Sequence, residues 1–223
     1  MKFLLFSKIS FEVTDPVALI ESYCFQSDFY ANYDLILNDR NREVKDVTSI
    51  GARIGGEPLK TCEVVTKNTG NLRIFEYNLA GFLKLDNESR NSHIKELNEK
   101  VIEKLLGIDG IALSRATKIL HTLYPEIIPM IDRALQEEYR KEISSQWTEK
   151  GWTEKQPHQI LIDYYNNFKK GDNWQNLTEI SNRVCSNNIK GLTKVRIFDI
   201  LWWSYLKSKK LRQEKNIDWS TIR

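Results

Sequence analysis

Residues 105–139 read LLGIDGIALSRATKILHTLYPEIIPMIDRALQEEY, and the order of signals in that stretch decides how the chain folds. Leu105 and Leu106 close an apolar stripe that starts at Ile94 and passes through Leu97, Val101 and Ile102. Glu and Lys fill the gaps, as on an amphipathic helix. Gly107 to Leu113 is a glycine-bearing turn. From Ser114 to Tyr124, Ala116, Ile119, Leu120 and Leu123 share one side of a second helix. A proline-bounded loop, Pro125 to Pro129, follows, and Asp132 opens a third helix spanning Ile131 to Ile143.

Toward the C-terminus the same periodicity predicts helices near Gln156–Lys170, Leu177–Ser186 and Leu192–Lys210, with a Trp/Thr/Gly-rich connection at Trp147–Thr153. The first 86 residues are less regular. Lys2–Phe6 reads as a short strand, and Pro16–Phe25 as a helix capped by Thr14 or Asp15. Asn38–Arg42 is a polar turn, Asp46–Ile54 one or two helical turns ending at Gly55-Gly56, and Thr66–Asn71 a polar break. The expectation is a mostly α-helical protein. Residues 1–86 form short elements that pack on a helical core, 87–223.

The 223 residues suffice for a sizeable core, and their 41% hydrophobic and 28% charged content fits a globular chain. No apolar run approaches the roughly 20 residues that span a bilayer. Met1 to Ile9 holds only a brief apolar patch, broken by Ser7 and Lys8. The reading is therefore an intracellular protein of the cytoplasm or nucleoid, with no signal peptide and no membrane partner. Cys24, Cys62 and Cys185 lie far apart, as reduced core thiols do, and exclude a closely spaced four-cysteine iron–sulfur loop. His93, His121 and His158 are equally isolated. The sequence offers no metal site and calls for no cofactor. Charge is uneven: residues 188–223 carry nine Lys/Arg against three Asp/Glu, a net +6, which leaves the rest at −3. Such a tail suits contact with a polyanion or is a solvated helix end.

The turn Ile108-Asp109-Gly110-Ile111-Ala112-Leu113-Ser114-Arg115-Ala116 and the later Pro129-Met130-Ile131-Asp132 carry a family resemblance. Over residues 99–139 the chain resembles the helix-hairpin-helix DNA glycosylase superfamily, whose members cut damaged or mispaired bases from DNA. That family's turn runs Leu-Pro-Gly-Val-Gly-x-x-Thr-Ala. Gly110, Ile111 and Ala116 match it, whereas Asp109, Ala112 and Arg115 replace its proline, second glycine and threonine. Bifunctional members place a nucleophilic lysine where this chain has Ser114. Asp132 follows Ser114 by 18 residues, the order and spacing of the branch typified by adenine-mismatch glycosylases, which also has serine there.

The resemblance implies that Gly110, Ile111 and Ala112 approach a DNA phosphate, that Ser114 is a vacated lysine position, and that Asp132 is the catalytic carboxylate. Base release would then be hydrolytic, as in a monofunctional glycosylase of DNA repair. Read from residues alone, the turn is also compatible with simple helix packing, and Asp132 with a plain N-cap. Lys118, one turn after Ser114, is a phosphate-contacting or solvated lysine, or an alternative nucleophile. Tyr124, Trp147, Trp152, Trp202 and Trp203 are candidate stackers for an extruded base, although Trp202 and Trp203 lie in a helix apolar nearly all round, the mark of buried core. Arg196 and Asp199 on that helix are spaced to pair. Two other functions fit: a non-catalytic nucleic-acid-binding protein on the same scaffold, and a helical interaction protein.

Overall fold

The computed structural model describes residues 1–6, 9–26, 58–143, 157–186 and 192–215. They are mostly helical, with one small two-stranded sheet near the N-terminus. Expectations for 38–42, 46–54 and Trp147–Thr153 lie outside the described residues. No helix among the described residues is long and apolar enough to cross a membrane.

The sheet pairs β1 (Lys2–Leu5) antiparallel with β2 (Ile9–Glu12), Phe3 opposite Phe11. Phe3, Leu5 and Phe11 face inward and Lys2 and Glu12 outward, so the side-chain period of two fixes the register. Sequence reading finds β1 but not β2, because Ile9–Glu12 buries only Phe11 and shows too little alternation to stand out. Helix α1 (Pro16–Gln26) starts where Asp15 Oδ1 accepts from Ala18 N at 3.0 Å, which makes Asp15 rather than Thr14 the cap.

Helix α2 (Pro58–Thr69) corrects the expected break at Thr66–Asn71, whose first four residues are helical. Asn68 Nδ2 donates to Val64 O and Thr69 Oγ1 to Val65 O, at 2.6 and 2.9 Å. Polar side chains that bond back to their own helix do not interrupt it. A short 3₁₀ turn, Arg73–Glu76, leads to α3 (Leu79–Lys84), capped by Asn78, and α4 (Asn87–Leu97), capped by Asp86. A π segment, Asn98–Ile102, joins α4 to α5 (Glu103–Leu106). It keeps Ile94, Leu97, Val101, Ile102 and Leu105 buried while turning Asn98 inward, where its Nδ2 reaches Glu103 Oε1 at 2.7 Å.

Then come α6 (Leu113–Leu123), α7 (Arg133–Ile143), α8 (Pro157–Asn167), α9 (Asn173–Ser186) and α10 (Lys194–Lys215). The order helix, turn, helix, loop, helix expected over 94–143 is present, and the turn ends one residue early. Helix α9 begins four residues before its expected start at Leu177. One hydrophobic cluster runs from Phe3 to Leu206, with Val195, Ile197, Phe198, Ile200, Leu201 and Trp202 of α10 inside it. The buried-core reading of Trp202 is therefore the observed one.

The turn between α8 and α9 staples the N-terminal hairpin to this core. Asn173 accepts from Leu4 N at 2.9 Å and donates to Leu4 O and Asn167 O, both at 2.7 Å. Asn167 Oδ1 accepts from Phe6 N at 2.6 Å, and Lys170 Nζ donates to Phe6 O at 2.6 Å. These side chains occupy the edge groups that a third strand would otherwise take. They also hold Phe6 at φ 56, left-handed backbone uncommon outside glycine. We expect Asn173→Ala to destabilise the protein by about 2–4 kcal/mol, because it strands one buried and two part-buried backbone partners. Asn176→Ala, which loses one exposed bond to Lys2 O, should cost under ~1 kcal/mol. Urea denaturation of the two variants measures the difference.

Candidate functional site

The hairpin turn is anchored by Ile108, Ile111 and Leu113, all buried, while Asp109, Gly110 and Ala112 are exposed. Ile111 N bonds Ile108 O at 3.0 Å, and Gly110 has φ 76, a left-handed conformation that glycine adopts without a Cβ clash. Ala112 precedes α6 in extended backbone and offers no side-chain cap. The amides of Leu113 and Ser114 accordingly have no acceptor among the described residues. Uncapped amides at a helix start present partial positive charge to solvent. Arg115 folds back to donate to Gly110 O, which adds a cation at the same place.

Along α6 the buried face carries Ala116, Thr117, Ile119, Leu120 and His121, and Ser114 and Lys118 are half-buried. Thr117 makes the connection to the third helix. Its hydroxyl donates to Leu113 O at 2.9 Å and accepts from Ile131 N at 3.0 Å. Asp132 is thereby held beside the Thr117–Lys118 turn. The Lys118 charge acts on Asp132, and Gly110–Ala112 lead into the same helix. Ser114 makes no hydrogen bond to Asp132.

Asp132 is the N-cap of α7, its Oδ1 accepting from Leu135 N at 2.9 Å. The Ala134 amide also acts on this carboxylate, and the residue is half-buried. Burial raises this carboxyl above the usual aspartate range, against the Leu135 and Ala134 amides and the Lys118 charge, while Glu137 adds to the rise. A half-buried carboxylate so placed can accept a proton or stabilise a cation.

The loop before it is buried except at Glu126, and side chains from four helices and from Thr193 satisfy its backbone. Thr193 Oγ1 donates to Pro125 O at 2.7 Å, Tyr165 OH to Ile127 O at 2.6 Å, and Gln136 Nε2 to Ile131 O at 3.0 Å. His121 Nδ1 bonds Ile128 O, an acceptor only, so Nδ1 carries the proton. Met130 N donates to Asp199 Oδ2 at 2.9 Å. Asp199 also accepts from Trp202 Nε1 at 3.2 Å and from Tyr164 OH. Arg196, spaced to pair with Asp199, acts on it as a charge and donates to Tyr23 OH at 2.9 Å and Met130 Sδ at 3.2 Å. Sequence reading singles out neither Thr117, Thr193 and Tyr165 nor any role for His121. Their one signal is a polar group at an apolar-face position.

The aromatic candidates are mostly engaged. Trp202 is buried, Tyr124 stacks on Phe75 at 3.7 Å, and Trp203 meets Tyr23 edge-on and Lys207 over its ring. Trp147 and Trp152 lie outside the described residues. In the basic segment, Lys209 pairs with Glu138 at 3.2 Å. None of the three cysteines forms a disulfide, but Cys24 and Cys62 are half-buried and Cys185 exposed, which corrects the expectation that they lie in the core. Comparison with known proteins gave no match to a family model, a curated protein or a solved structure.

Two buried groups in this network titrate in opposite senses. Burial and then the Arg196 charge hold His121 down from 6.5 to about 3. Burial raises Asp199 from 3.8 to about 7, against Arg196 and its three hydrogen bonds. Unfolded His121 binds a proton that the folded form rejects, so its stabilisation is full above 6.5 and lost as pH falls toward 3. Folded Asp199 holds a proton that the unfolded form releases, so its stabilisation is full below 3.8 and lost as pH rises through about 7. Between 3.8 and 6.5 the two slopes oppose each other. His121→Asn, which keeps a donor for Ile128 O, should leave a stability that falls with pH by up to about 1.4 kcal/mol per unit. Asp199→Asn should give the reverse slope. Urea midpoints across that interval read both signs.

Proposed function

We propose that the chain binds duplex DNA and hydrolyses the N-glycosidic bond of a damaged or mispaired base. The observation that supports this best is Asp132 itself, with one oxygen locked as a cap and the Lys118 charge acting on it. It sits beside the helix whose uncapped first amides follow Gly110. Those amides and Arg115 would hold a backbone phosphate. Bond cleavage sends the electron pair of the C1′–N bond to the departing base and leaves an oxocarbenium-like sugar. Asp132 would stabilise that cation and take a proton from the water that adds to C1′. A carboxyl raised by burial is a better base near neutrality than an ordinary aspartate. Ser114 has no amine, so no Schiff base forms there.

The second reading, a non-catalytic nucleic-acid-binding protein, is favoured by the bond from Leu135 N, because capping alone accounts for an aspartate at this position. Asp132→Asn separates the two. It keeps the shape and a capping oxygen but removes the charge. We expect base release to fall by roughly two orders of magnitude or more while salt-sensitive DNA binding persists. Borohydride should trap no covalent complex in the wild type, and strand breaks should appear only after alkali. The acid limb of the rate should lie above the ordinary aspartate value of 3.8, since only ionised Asp132 works. Unaltered base release by Asp132→Asn would move the chemistry elsewhere, and efficient trapping would point to Lys118. DNA binding with no base release in the wild type would establish the second reading.

A further inference from the structure

Met130 is engaged at both its backbone N–H and its carbonyl. Its N–H points into the core and donates to Asp199 Oδ2 at 2.9 Å, and its carbonyl accepts from Asp132 N at 3.1 Å. The next amide, Ile131 N, is held from the opposite side by Thr117 at 3.0 Å. Two successive peptides are thus clamped between α10 and α6, and the residue they deliver is Asp132. A rotation at Met130 cannot occur without moving the Asp132 backbone, and with it the half-buried carboxylate.

We infer that Asp199 is a positioning residue: through the Met130 amide it fixes where Asp132 presents its carboxylate. Asp199 is itself immobilised by Tyr164 OH, by Trp202 Nε1 and by packing that leaves it 1% exposed. Its distance in sequence from Met130, 69 residues, makes the contact a tertiary one that no local helix propensity replaces. Hydrophobic burial alone would be served as well by an apolar side chain, since a buried carboxylate carries a desolvation cost. A small apolar residue in its place would fill the core yet leave Met130 N without an acceptor. The charges that chiefly act on Asp132 are those of Lys118 and Glu137. Those that face Asp199 are Arg196 on its own helix and the Tyr164 and Tyr165 hydroxyls of α8. Across the loop, Arg196 also acts on His121. An effect of Asp199 on Asp132 therefore travels through the Met130 peptide.

Amide hydrogen exchange on the full chain tests this without any substrate. In Asp199→Asn we expect protection to fall about tenfold at Met130, Asp132 and Leu135, with the amides of α4 and α9 unchanged. Thr117→Val, which keeps the volume but removes the acceptor of Ile131 N, should loosen the same short segment and serves if Asp199→Asn does not fold. A uniform loss across all helices would mean that Asp199 is merely part of the core, and unchanged protection at Leu135 would mean that it does not reach the cap; either result overturns the inference. Only the kinetic consequence rests on the glycosidic-bond reading: kcat for base release should drop about tenfold in Asp199→Asn with KM unchanged. A wild type that releases no base, with the local loosening intact, would sink that reading and leave the positioning role standing.

Discussion

A loop that crosses a hydrophobic core has no water to receive its amides and carbonyls, and each one left unpaired costs on the order of 1–3 kcal/mol. The segment Pro125–Ile131 meets this constraint with side chains rather than with a strand or helix of its own. Thr193 comes from the residue before α10, Asp199 from α10, Tyr165 from α8, and Thr117 and His121 from α6. The helices are tied to one another because each is tied to the loop. Tyr164 and Trp202 then serve the loop at one remove, by holding Asp199. The half-buried carboxylate at the end of the loop has a defined position because everything before it does.

This arrangement explains why the fold was more legible than the site. Helix α6 could be read because Ala116, Ile119 and Leu120 recur at helical spacing, and α10 because Val195 to Leu206 is apolar nearly all round. Asp132 could be read because a lone aspartate after a proline-bounded loop is a recognisable helix start. The groups that position it could not. Thr117 looks like an ordinary helical threonine, and nothing local distinguishes Asp199 from half of a pair with Arg196. Their partners are 14 and 69 residues away, and periodicity carries no information at that range. The same limit hid β2 and let the polar run Thr66–Thr69 pass for a loop, since its back-bonds to Val64 and Val65 are invisible in composition.

The turn Ile108–Ala116 differs at three places from the glycosylase turn it resembles, and the structure gives each a physical content. Ala112 adopts extended backbone, so the missing second glycine imposes no strain there. Asp109 is exposed and remains a negative charge near the amides. Arg115 reaches Gly110 O and sets a positive charge against it.

The asparagine staple at the N-terminal hairpin bears on how the chain reaches this state. Residues 4 and 6 take their edge partners from residues 173 and 167, separations of 169 and 161. On a ribosome that synthesises from the N-terminus, β1 emerges long before the α8–α9 turn exists. Contacts of such sequence separation carry the largest loop-closure entropy and form late. Until they form, the strand edge and the Phe3 and Leu5 side chains are exposed together, which is the composition of an aggregation-prone segment. The hairpin is accordingly secured late, once residues 167–173 have been made.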